Sequence, residues 1–289
     1  MSSQHMWSTD AHEGKVENLY AGGADGIGHY HNGYLNYGYW TKEGMTYNEA
    51  AEKMVDHMGE LLQLTSESEL LDCGCGMGPQ DVYLYQKYHP KKIDAIDVTW
   101  KHVERARERI AHAGITPAHV SFHHESATAL PWKDGTFSHV LAIESPPHFD
   151  TRENFFQEAW RVLQPGGVLA ICDYTLGRPY ENIFDRLLMK IVTKIWCVPP
   201  ANVYSTAILQ QKLQSIGFTN ITVESVGALT IPGYYFESRR SEAVRAMYKL
   251  RGFWKGVVGI FCIDRGVYSV FRHGLVDYIM LRAQKPLVS

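Results

Sequence analysis

Apolar residues along the chain follow two different spacings. Short, nearly continuous apolar runs are typical of buried strands, and longer stretches whose apolar residues recur every three or four positions are typical of helices. The short runs predict strands over 70–72, 93–98, 120–124, 139–143, 168–173, 221–226 and 277–282. The longer stretches predict helices over 46–64, 79–88, 100–113, 152–163 and 205–216.

Strands and helices alternate regularly through the first part of the chain, from residue 46 to residue 176. Strands separated by helices of this length predict a parallel sheet that is covered by helices on both faces. We therefore expect an α/β fold built on a doubly wound, mostly parallel, Rossmann-like sheet of seven strands.

The alternation ends after the fifth predicted strand. Residues 177–206 contain apolar runs and Trp196, and residues 228–276 are mixed and aromatic. Inserts of this kind usually cover a ligand crevice. We therefore divide the chain into an N-terminal arm or lid, a Rossmann-like core, a cap and substrate-binding insert that includes the sixth strand, and a last strand with its tail, over 1–45, 46–176, 177–276 and 277–289.

The N-terminal arm contains an aromatic run, Gly33 to Trp40, that is too apolar for an ordinary solvated loop. Aromatic side chains are usually buried, at least in part. The run is therefore interpreted either as a packed arm or as a lid over a ligand site, and the sequence leaves both interpretations open.

Charge and cysteine content narrow the classes of function. The formal net charge of the 289 residues is -3, so the basic surface that nucleic acid requires is not expected. Five cysteines, an odd number without paired spacing, favour reduced thiols in a cytoplasmic protein over a disulfide framework. Because Cys73 and Cys75 lack a second pair, no metal site is expected.

Two features predict that the chain has neither a secretion signal nor a stable membrane insertion. The residues up to Glu13 are polar, unlike a signal peptide. The longest apolar stretch near the C-terminus, Gly256–Ile263, is far shorter than the roughly 20 residues that a membrane helix needs.

The most informative segment is 71–79, LDCGCGMGP, at a predicted strand-to-helix junction. Glycines there allow a positive φ or let a ligand touch the backbone, and the following helix offers free N–H groups to a carboxylate. Asp97 ends the next strand about 20 residues further on, the spacing at which an acidic residue meets ribose hydroxyls. Pro79 stands where a dinucleotide-binding loop has its third glycine, which disfavours an NAD-dependent oxidoreductase.

Four segments together resemble the class I S-adenosylmethionine (SAM)-dependent methyltransferases. Within them the chain resembles the small-molecule group, which includes natural-product sugar O-methyltransferases, tocopherol methyltransferases and sterol methyltransferases. The segments are 35–40 (LNYGYW), 71–79 (LDCGCGMGP), 129–137 (ALPWKDGTF) and 161–167 (RVLQPGG). The resemblance implies SAM as cofactor and a small molecule as acceptor.

The resemblance also implies which residues bind SAM. In that family Asp72 and the loop glycines approach the methionine part, Asp97 holds the ribose, and residues 98–100 lie near the adenosine. Many members carry an acidic residue after the third strand that reaches the adenine amine, whereas this chain has Ser126, whose hydroxyl can still accept a hydrogen bond. The full set is Tyr37, Gly38, Asp72, Gly74, Gly76, Gly78, Asp97, Val98, Thr99, Trp100, Ser126, Ala127 and Glu144.

Two residues are candidates for catalysis. Similar methyltransferases carry Glu-Ser-x-His-His after the fourth strand, and this chain keeps only the second histidine, His148, because Pro147 replaces the first. An imidazole titrates near neutral pH and can remove a hydroxyl proton. Asp173 ends the fifth strand and is expected to point into the same crevice, where it would orient His148 or act as base itself. For both residues a purely structural role stays open.

Aromatic residues are candidates for binding the acceptor, since aromatic faces attract cations such as a sulfonium. The set is Tyr20, Tyr39, Trp40, Tyr234 and Tyr235. Burial in the core of the cap is the competing interpretation for the last two.

The leading functional prediction is O-methylation of a small, lipophilic or aromatic natural product with His148 as base. The alternatives are C-methylation of a prenylated, sterol-like or quinone-type acceptor, N-methylation, and a SAM-binding protein without catalysis. Each of these alternatives keeps the SAM site and changes only the acceptor or the chemistry. A homo-oligomer is compatible with the sequence.

Overall fold

The computed structural model describes residues 7–8, 11–21, 32–240, 242, 244–245, 248–249 and 264–287. Seven strands form one sheet in the order β3-β2-β1-β4-β5-β7-β6. Their bounds are β1 Glu69–Cys73, β2 Lys92–Asp97, β3 Val120–His124, β4 Phe137–Ile143, β5 Leu163–Leu176, β6 Thr219–Ser225 and β7 Val276–Gln284. Strands β1 to β5 are parallel and β7 is antiparallel to both of its neighbours, which confirms the expected seven-stranded sheet.

Helices cover both faces of this sheet. Those of the described residues are α1 His12–Leu19, α2 Tyr47–Leu62, α3 Pro79–Tyr88, α4 Trp100–His112, α5 Arg152–Val162, α6 Ile183–Ile195, α7 Thr206–Ile216, α8 Ile231–Glu237 and α9 Asp264–Arg272. Helices α2, α3 and α4 bury their apolar side chains on one face, and α5 and α7 bury theirs on the other. Short 3₁₀ turns lie at Pro146–His148, Pro200–Asn202 and Gly227–Leu229.

The two apolar clusters of the core, one on each face of the sheet, explain why the inner strands appear in the sequence as continuous apolar runs. Successive residues of a strand point to opposite faces, so β1 sends Leu70 to the first apolar cluster and Leu71 to the second. Both side chains are fully buried. A strand in a sheet that is covered on both faces therefore needs apolar residues at consecutive positions.

The order of the strands fixes the place of the functional crevice. The chain proceeds outward from β1 to β3 and then returns to start β4 on the other side of β1. In sheets of this kind ligands bind beyond the carboxyl ends of the strands at such a reversal. The segments that follow β1, β2, β3 and β4 therefore meet along one edge.

Three parts of the structure differ from the sequence-based prediction or extend it. Strand β5 is longer than predicted, because the chain leaves α5 at Leu163 and enters the sheet directly, pairing with Phe137. Helix α1 was not predicted from its polar sequence, and Val16, 4% exposed, anchors it to the rest of the protein. Helix α6 occupies part of the insert to which no element was assigned.

Some predictions concern residues outside the described part of the chain. The apolar stretch Gly256–Ile263, with Cys262 inside it, is one of them. Among the described residues, no helix combines the length and the apolar character needed to cross a membrane. The boundaries drawn at residues 45, 176 and 276 stay a prediction.

Candidate active site

The glycine loop follows β1 and leads into α3. Gly74, Gly76 and Gly78 have φ angles of 86°, 55° and 72°, in the left-handed region that favours glycine. A Cβ on Gly74 would lie 2.2 Å from the side chain of Ser145, and a Cβ on Gly78 would lie 2.7 Å from the ring of Phe122. Gly74 therefore lets the loop approach the segment after β4, and Gly78 lets α3 pack closely on the sheet.

Asp97, at the end of β2, holds this loop in place. Its carboxylate accepts hydrogen bonds from the backbone N–H of Gly76 at 2.9 Å and of Thr99 at 2.7 Å. Burial acts to raise the pKa of Asp97, but the neighbouring His102 and the two N–H donors outweigh it and keep the pKa below its usual value. The carboxylate therefore stays ionised at the crevice edge, where it can accept hydrogen bonds from a ligand.

Asp72 lies behind the loop and not on the wall of the crevice. It is fully buried and accepts a hydrogen bond from the side chain of Gln80 at 2.5 Å. Burial raises the pKa of Asp72 to about 7, and burial together with the charge of Asp72 raises the pKa of the adjacent Asp81 well above its usual value. Asp72 was expected to approach the ligand directly, but it does not line the cavity, and Gln80 is the member of this group on the cavity wall.

A large cavity runs along the carboxyl edge of the sheet, bordered by the glycine loop, α1 and α6. The sequence-predicted residues on its wall are Tyr20, Tyr37, Gly74, Gly76, Asp97, Val98, Thr99, Ser126, Ala127, Glu144, His148 and Tyr234. The predicted residues away from its wall are Gly38, Tyr39, Trp40, Asp72, Gly78, Trp100, Asp173 and Tyr235. Most residues predicted from strand ends thus meet at one site, whereas several of the aromatic residues do not.

His148 lies in the 3₁₀ turn after β4, and both of its ring nitrogens have partners. Nδ1 is 2.7 Å from the carbonyl oxygen of Trp196, and Nε2 is 3.1 Å from the hydroxyl of Tyr20. A carbonyl oxygen can only accept, so the proton of the neutral ring lies on Nδ1 and the Tyr20 hydroxyl donates to Nε2. Burial lowers the pKa of His148 to about 4, so the imidazole is neutral near pH 7.

The expected contact between Asp173 and His148 is not made. Asp173 is fully buried and pairs instead with Arg152, whose Nε and Nη2 each lie 2.8 Å from one of its oxygens. Burial raises the pKa of Asp173 to about 6, and the guanidinium acts in the opposite direction. Arg152 is the first residue of α5, and the start of that helix lies beneath the end of β5, so Asp173 joins these two elements inside the core.

Glu144 fixes the aromatic arm to the end of β4. Its φ is 56°, which is uncommon for a residue with a side chain. Its carboxyl group accepts hydrogen bonds from the backbone N–H of Tyr37, at 2.6 Å, and from the hydroxyl of Tyr278. Burial raises the pKa of Glu144 to about 8. Tyr37 is thereby held on the cavity wall.

Three tyrosines form an aromatic part of the wall near Glu144. The ring centroid of Tyr37 is 4.2 Å from that of Tyr234 and 5.7 Å from that of Tyr174. Tyr174, in β5, was not predicted as a site residue. Tyr174 directly follows Asp173 in β5, and successive residues of a strand point to opposite sides. The Asp173 side chain therefore points into the core, and the Tyr174 side chain lines the cavity.

Four aromatic residues predicted for the site pack elsewhere: Tyr39, Trp40, Trp100 and Tyr235. Tyr39 stacks on His57 with the ring centroids 5.2 Å apart, and Tyr235 stacks on Tyr268 at 4.0 Å. Aromatic character indicates that a side chain is buried, but it does not tell toward which side.

Helix α1 contributes wall residues that sequence reasoning missed. Glu13 and Val16 lie on the wall, the Glu13 carboxylate accepts a hydrogen bond from the Ser126 hydroxyl at 3.1 Å, and Tyr20 follows on the same helix face. A spacing of three and then four residues puts these side chains on one face of a helix, and this is the signal that could have found them.

Another part of the cavity wall is formed by α6, and the residue that follows this helix contacts His148. Met189, Val192 and Thr193 line the wall, and the carbonyl of Trp196 fixes the His148 ring. Their spacing of three or four residues was visible within the unassigned insert, but nothing in the sequence related it to His148.

Comparisons with known proteins agree with this geometry. Residues 70–167 match the family described as a methyltransferase domain. The chain is 28% identical to erythromycin 3''-O-methyltransferase of Saccharopolyspora erythraea over 88% of its own length and 84% of that protein. It is 32% identical to the O-methyltransferase resE of Aspergillus sclerotiorum over 64% of its own length and 69% of that protein.

A solved structure shows the same fold. The geranyl diphosphate C-methyltransferase of Streptomyces coelicolor A3(2), in complex with S-adenosyl-L-homocysteine, has a TM-score of 0.73 at 15% identity and covers 96% of this chain and 100% of its own. Given this sheet order and an O-methyltransferase relative at 32% identity, the chain belongs to the class I SAM-dependent methyltransferases, with S-adenosyl-L-methionine as its cofactor.

Proposed function

We propose that this enzyme methylates a hydroxyl oxygen of a small, lipophilic natural product, with His148 accepting the hydroxyl proton. The observation that supports this most is the state of the imidazole. Its Nδ1–H is engaged by the Trp196 carbonyl, so Nε2 is the basic atom of the ring. The Nε2 lone pair accepts the hydrogen bond of the Tyr20 hydroxyl, which the hydroxyl of a bound acceptor would displace. A neutral hydroxyl gains nucleophilicity when a positioned base takes its proton, whereas a free amine needs little such help.

The cofactor would occupy the edge between the glycine loop and the end of β3. Gly74 and Gly76 lie on the cavity wall with the ionised Asp97 beside them, and this arrangement fits the polar ends of SAM. Gly74 and Gly76 would let its methionine part approach the backbone, and Asp97 would accept from its ribose hydroxyls. When bound, SAM supplies an electrophilic methyl group on a sulfonium.

The acceptor would occupy the part of the cavity between α6, β5 and the last strand. Apolar side chains line this part: Leu176, Met189, Val192, Val203, Val267 and Val276. Such a wall favours a lipophilic compound and offers little to a charged metabolite. The printed names of both relatives give oxygen as the methylated atom, and one of them names erythromycin as the acceptor, which supports a natural-product hydroxyl as acceptor.

Replacing Asp97 with asparagine is expected to raise the Kd for SAM by about 10- to 100-fold, because a charge-assisted hydrogen bond to ribose is lost. Isothermal titration calorimetry measures this directly. Asp94, also in β2, pairs with His123 away from the cavity, so Asp94→Asn is the matched control with a Kd within about twofold of the parent. An unchanged Kd for Asp97→Asn would contradict the ribose assignment.

C-methylation is the second candidate, and one observation favours it. The faces of Tyr37, Tyr174 and Tyr234 form a wall that could stabilise a carbocation at an alkene carbon. The similar structure of a C-methyltransferase is consistent with this chemistry on the fold. His148 would then remove a carbon-bound proton.

The deciding experiment supplies methyl-labelled SAM and a set of lipophilic acceptors of similar size that carry an alcohol, a phenol, an amine or a prenyl alkene. Mass spectrometry with fragmentation is expected to find the label in the hydroxyl compounds as a methyl ether. A label found only on the carbon of the alkene would replace the proposal with C-methylation. Unlabelled acceptors throughout, with SAM still bound, would favour a binding protein without catalysis.

A further inference from the structure

The geometry of the cavity indicates where the adenine ring of the cofactor lies. This inference rests on the proposed function, in which the methyl group of SAM lies near His148 after β4 and Asp97 at the end of β2 meets the ribose. The sheet order from β4 through β1 and β2 to β3 then leaves the end of β3 for the adenine ring. A bound cofactor would extend across these four neighbouring strand ends.

Adenine has an exocyclic amine, whose two N–H groups need a hydrogen-bond acceptor from the protein. Of the residues that follow β3 on the cavity wall, Ser126 is 4% exposed, and its hydroxyl already donates a hydrogen bond to Glu13. Two carboxylates line this part of the wall, Glu13 from α1 and Glu125 beside Ser126. Of these, Glu13 is the one held in position, because its Oε1 accepts the Ser126 hydroxyl hydrogen bond at 3.1 Å.

We propose that Glu13 is the residue that recognises the adenine amine, and that Ser126 orients its carboxylate. The acceptor for adenine therefore comes from the N-terminal helix and not from the sheet. A second carboxylate of the same helix, Glu17, accepts from the backbone N–H of Trp100 at 3.3 Å and secures α1 at the start of α4.

The same helix also reaches the proposed base. Tyr20, which follows α1, donates to Nε2 of His148, and the side chain of His12 lies 2.8 Å from the His148 carbonyl oxygen. Recognition of adenine by Glu13 therefore stabilises the helix that holds His148. Cofactor binding and the position of the base are coupled through α1, and this coupling does not depend on which acceptor atom is methylated.

The test compares the Kd of S-adenosyl-L-homocysteine with that of S-inosyl-L-homocysteine, in which a carbonyl oxygen replaces the amine. The full-length protein is expected to prefer the adenosyl compound by about 10- to 100-fold. In Glu13→Gln this preference is expected to fall at least about fivefold, because the amide can also donate to the carbonyl oxygen. Calorimetry gives both constants without any turnover.

Two other substitutions of a glutamate by glutamine, near Glu13, serve as controls. Glu17→Gln removes a carboxylate from the same helix that does not line the cavity, so both ligands are expected to lose affinity equally and the preference to persist. Glu125→Gln is expected to keep the preference as well. A preference that collapses in Glu125→Gln and persists in Glu13→Gln would overturn the proposal.

A rescue variant separates recognition from folding. Adding Ser126→Asp to Glu13→Gln places a carboxylate on the sheet at the same end of the cavity, and the preference for the adenosyl compound is expected to return. If Glu13→Gln keeps the melting temperature of the parent and also keeps its ligand preference, Glu13 does not recognise adenine.

Discussion

Replacing His148 with glutamine is expected to lower kcat by about 10²- to 10⁴-fold, the usual contribution of a positioned general base. Glutamine retains polar character and can accept a hydrogen bond, but it cannot take up a proton at neutral pH. The Kd for SAM should change only a few-fold, because glutamine can still accept the Tyr20 hydrogen bond that links this position to α1, and the proposed ribose contact lies at the end of β2. Single-turnover kinetics and calorimetry on the same preparation separate the two quantities.

His139 provides a matched control for this substitution. It lies in β4, away from the cavity wall, and burial also lowers its pKa to about 4. His139→Gln therefore removes a comparably buried imidazole and should leave kcat within a few-fold of the parent. A His148→Gln enzyme as active as His139→Gln would refute the assignment of the base.

The pH dependence follows from the lowered pKa of His148. The ring is neutral in the folded enzyme down to about pH 4, so the fraction of enzyme that carries His148 in the neutral form should not decline between pH 8 and pH 5. The unfolded chain takes up this proton near the ordinary pKa of about 6.5, so the contribution of His148 to stability is complete above that pH and is lost as the pH falls toward 4. An acid limb of kcat/KM centred near pH 6.5 would show that the imidazole is not held as described.

Replacing Asp173 with asparagine is expected to reduce the free energy of unfolding by about 3–5 kcal/mol, because a fully buried guanidinium loses its counter-charge. Both side chains are almost completely shielded, with Arg152 2% exposed and Asp173 0% exposed. Arg152 also donates to the carbonyl of Tyr174 at 2.6 Å, so it cannot turn outward without releasing the end of β5. Urea denaturation followed by circular dichroism measures the loss.

Two variants make this stability measurement decisive. Lys212→Met breaks the ion pair with Glu153 on the partly exposed surface of α5 and α7, and should cost at most about 1 kcal/mol. The double variant Arg152→Met with Asp173→Leu removes both charges and should recover much of the loss. A stable Asp173→Asn enzyme with no activity would instead restore Asp173 to a chemical role.

The sequence by itself determined the fold class and the positions of the strands. All seven strands were predicted near their observed positions. For the inner strands the reason is that a strand buried on both faces must be apolar at consecutive positions, whereas β6 lies at the sheet edge and is largely exposed. The glycine loop and Asp97 were also identified, because a left-handed backbone and a strand-end carboxylate leave local signals that need no distant partner. The family and its cofactor were indicated by the resemblance of four segments to known methyltransferases.

Only the tertiary structure decided which partners meet. Asp173 was expected beside His148, but it pairs with Arg152, because the start of α5 and the end of β5 come together only in the folded protein. Tyr39 and Tyr235 were expected in the site and stack on other rings, since an aromatic residue specifies burial and not direction. Helix α1 is polar and short, so its place over the cavity depends on contacts such as that of Glu13 with Ser126, which join residues far apart in the chain.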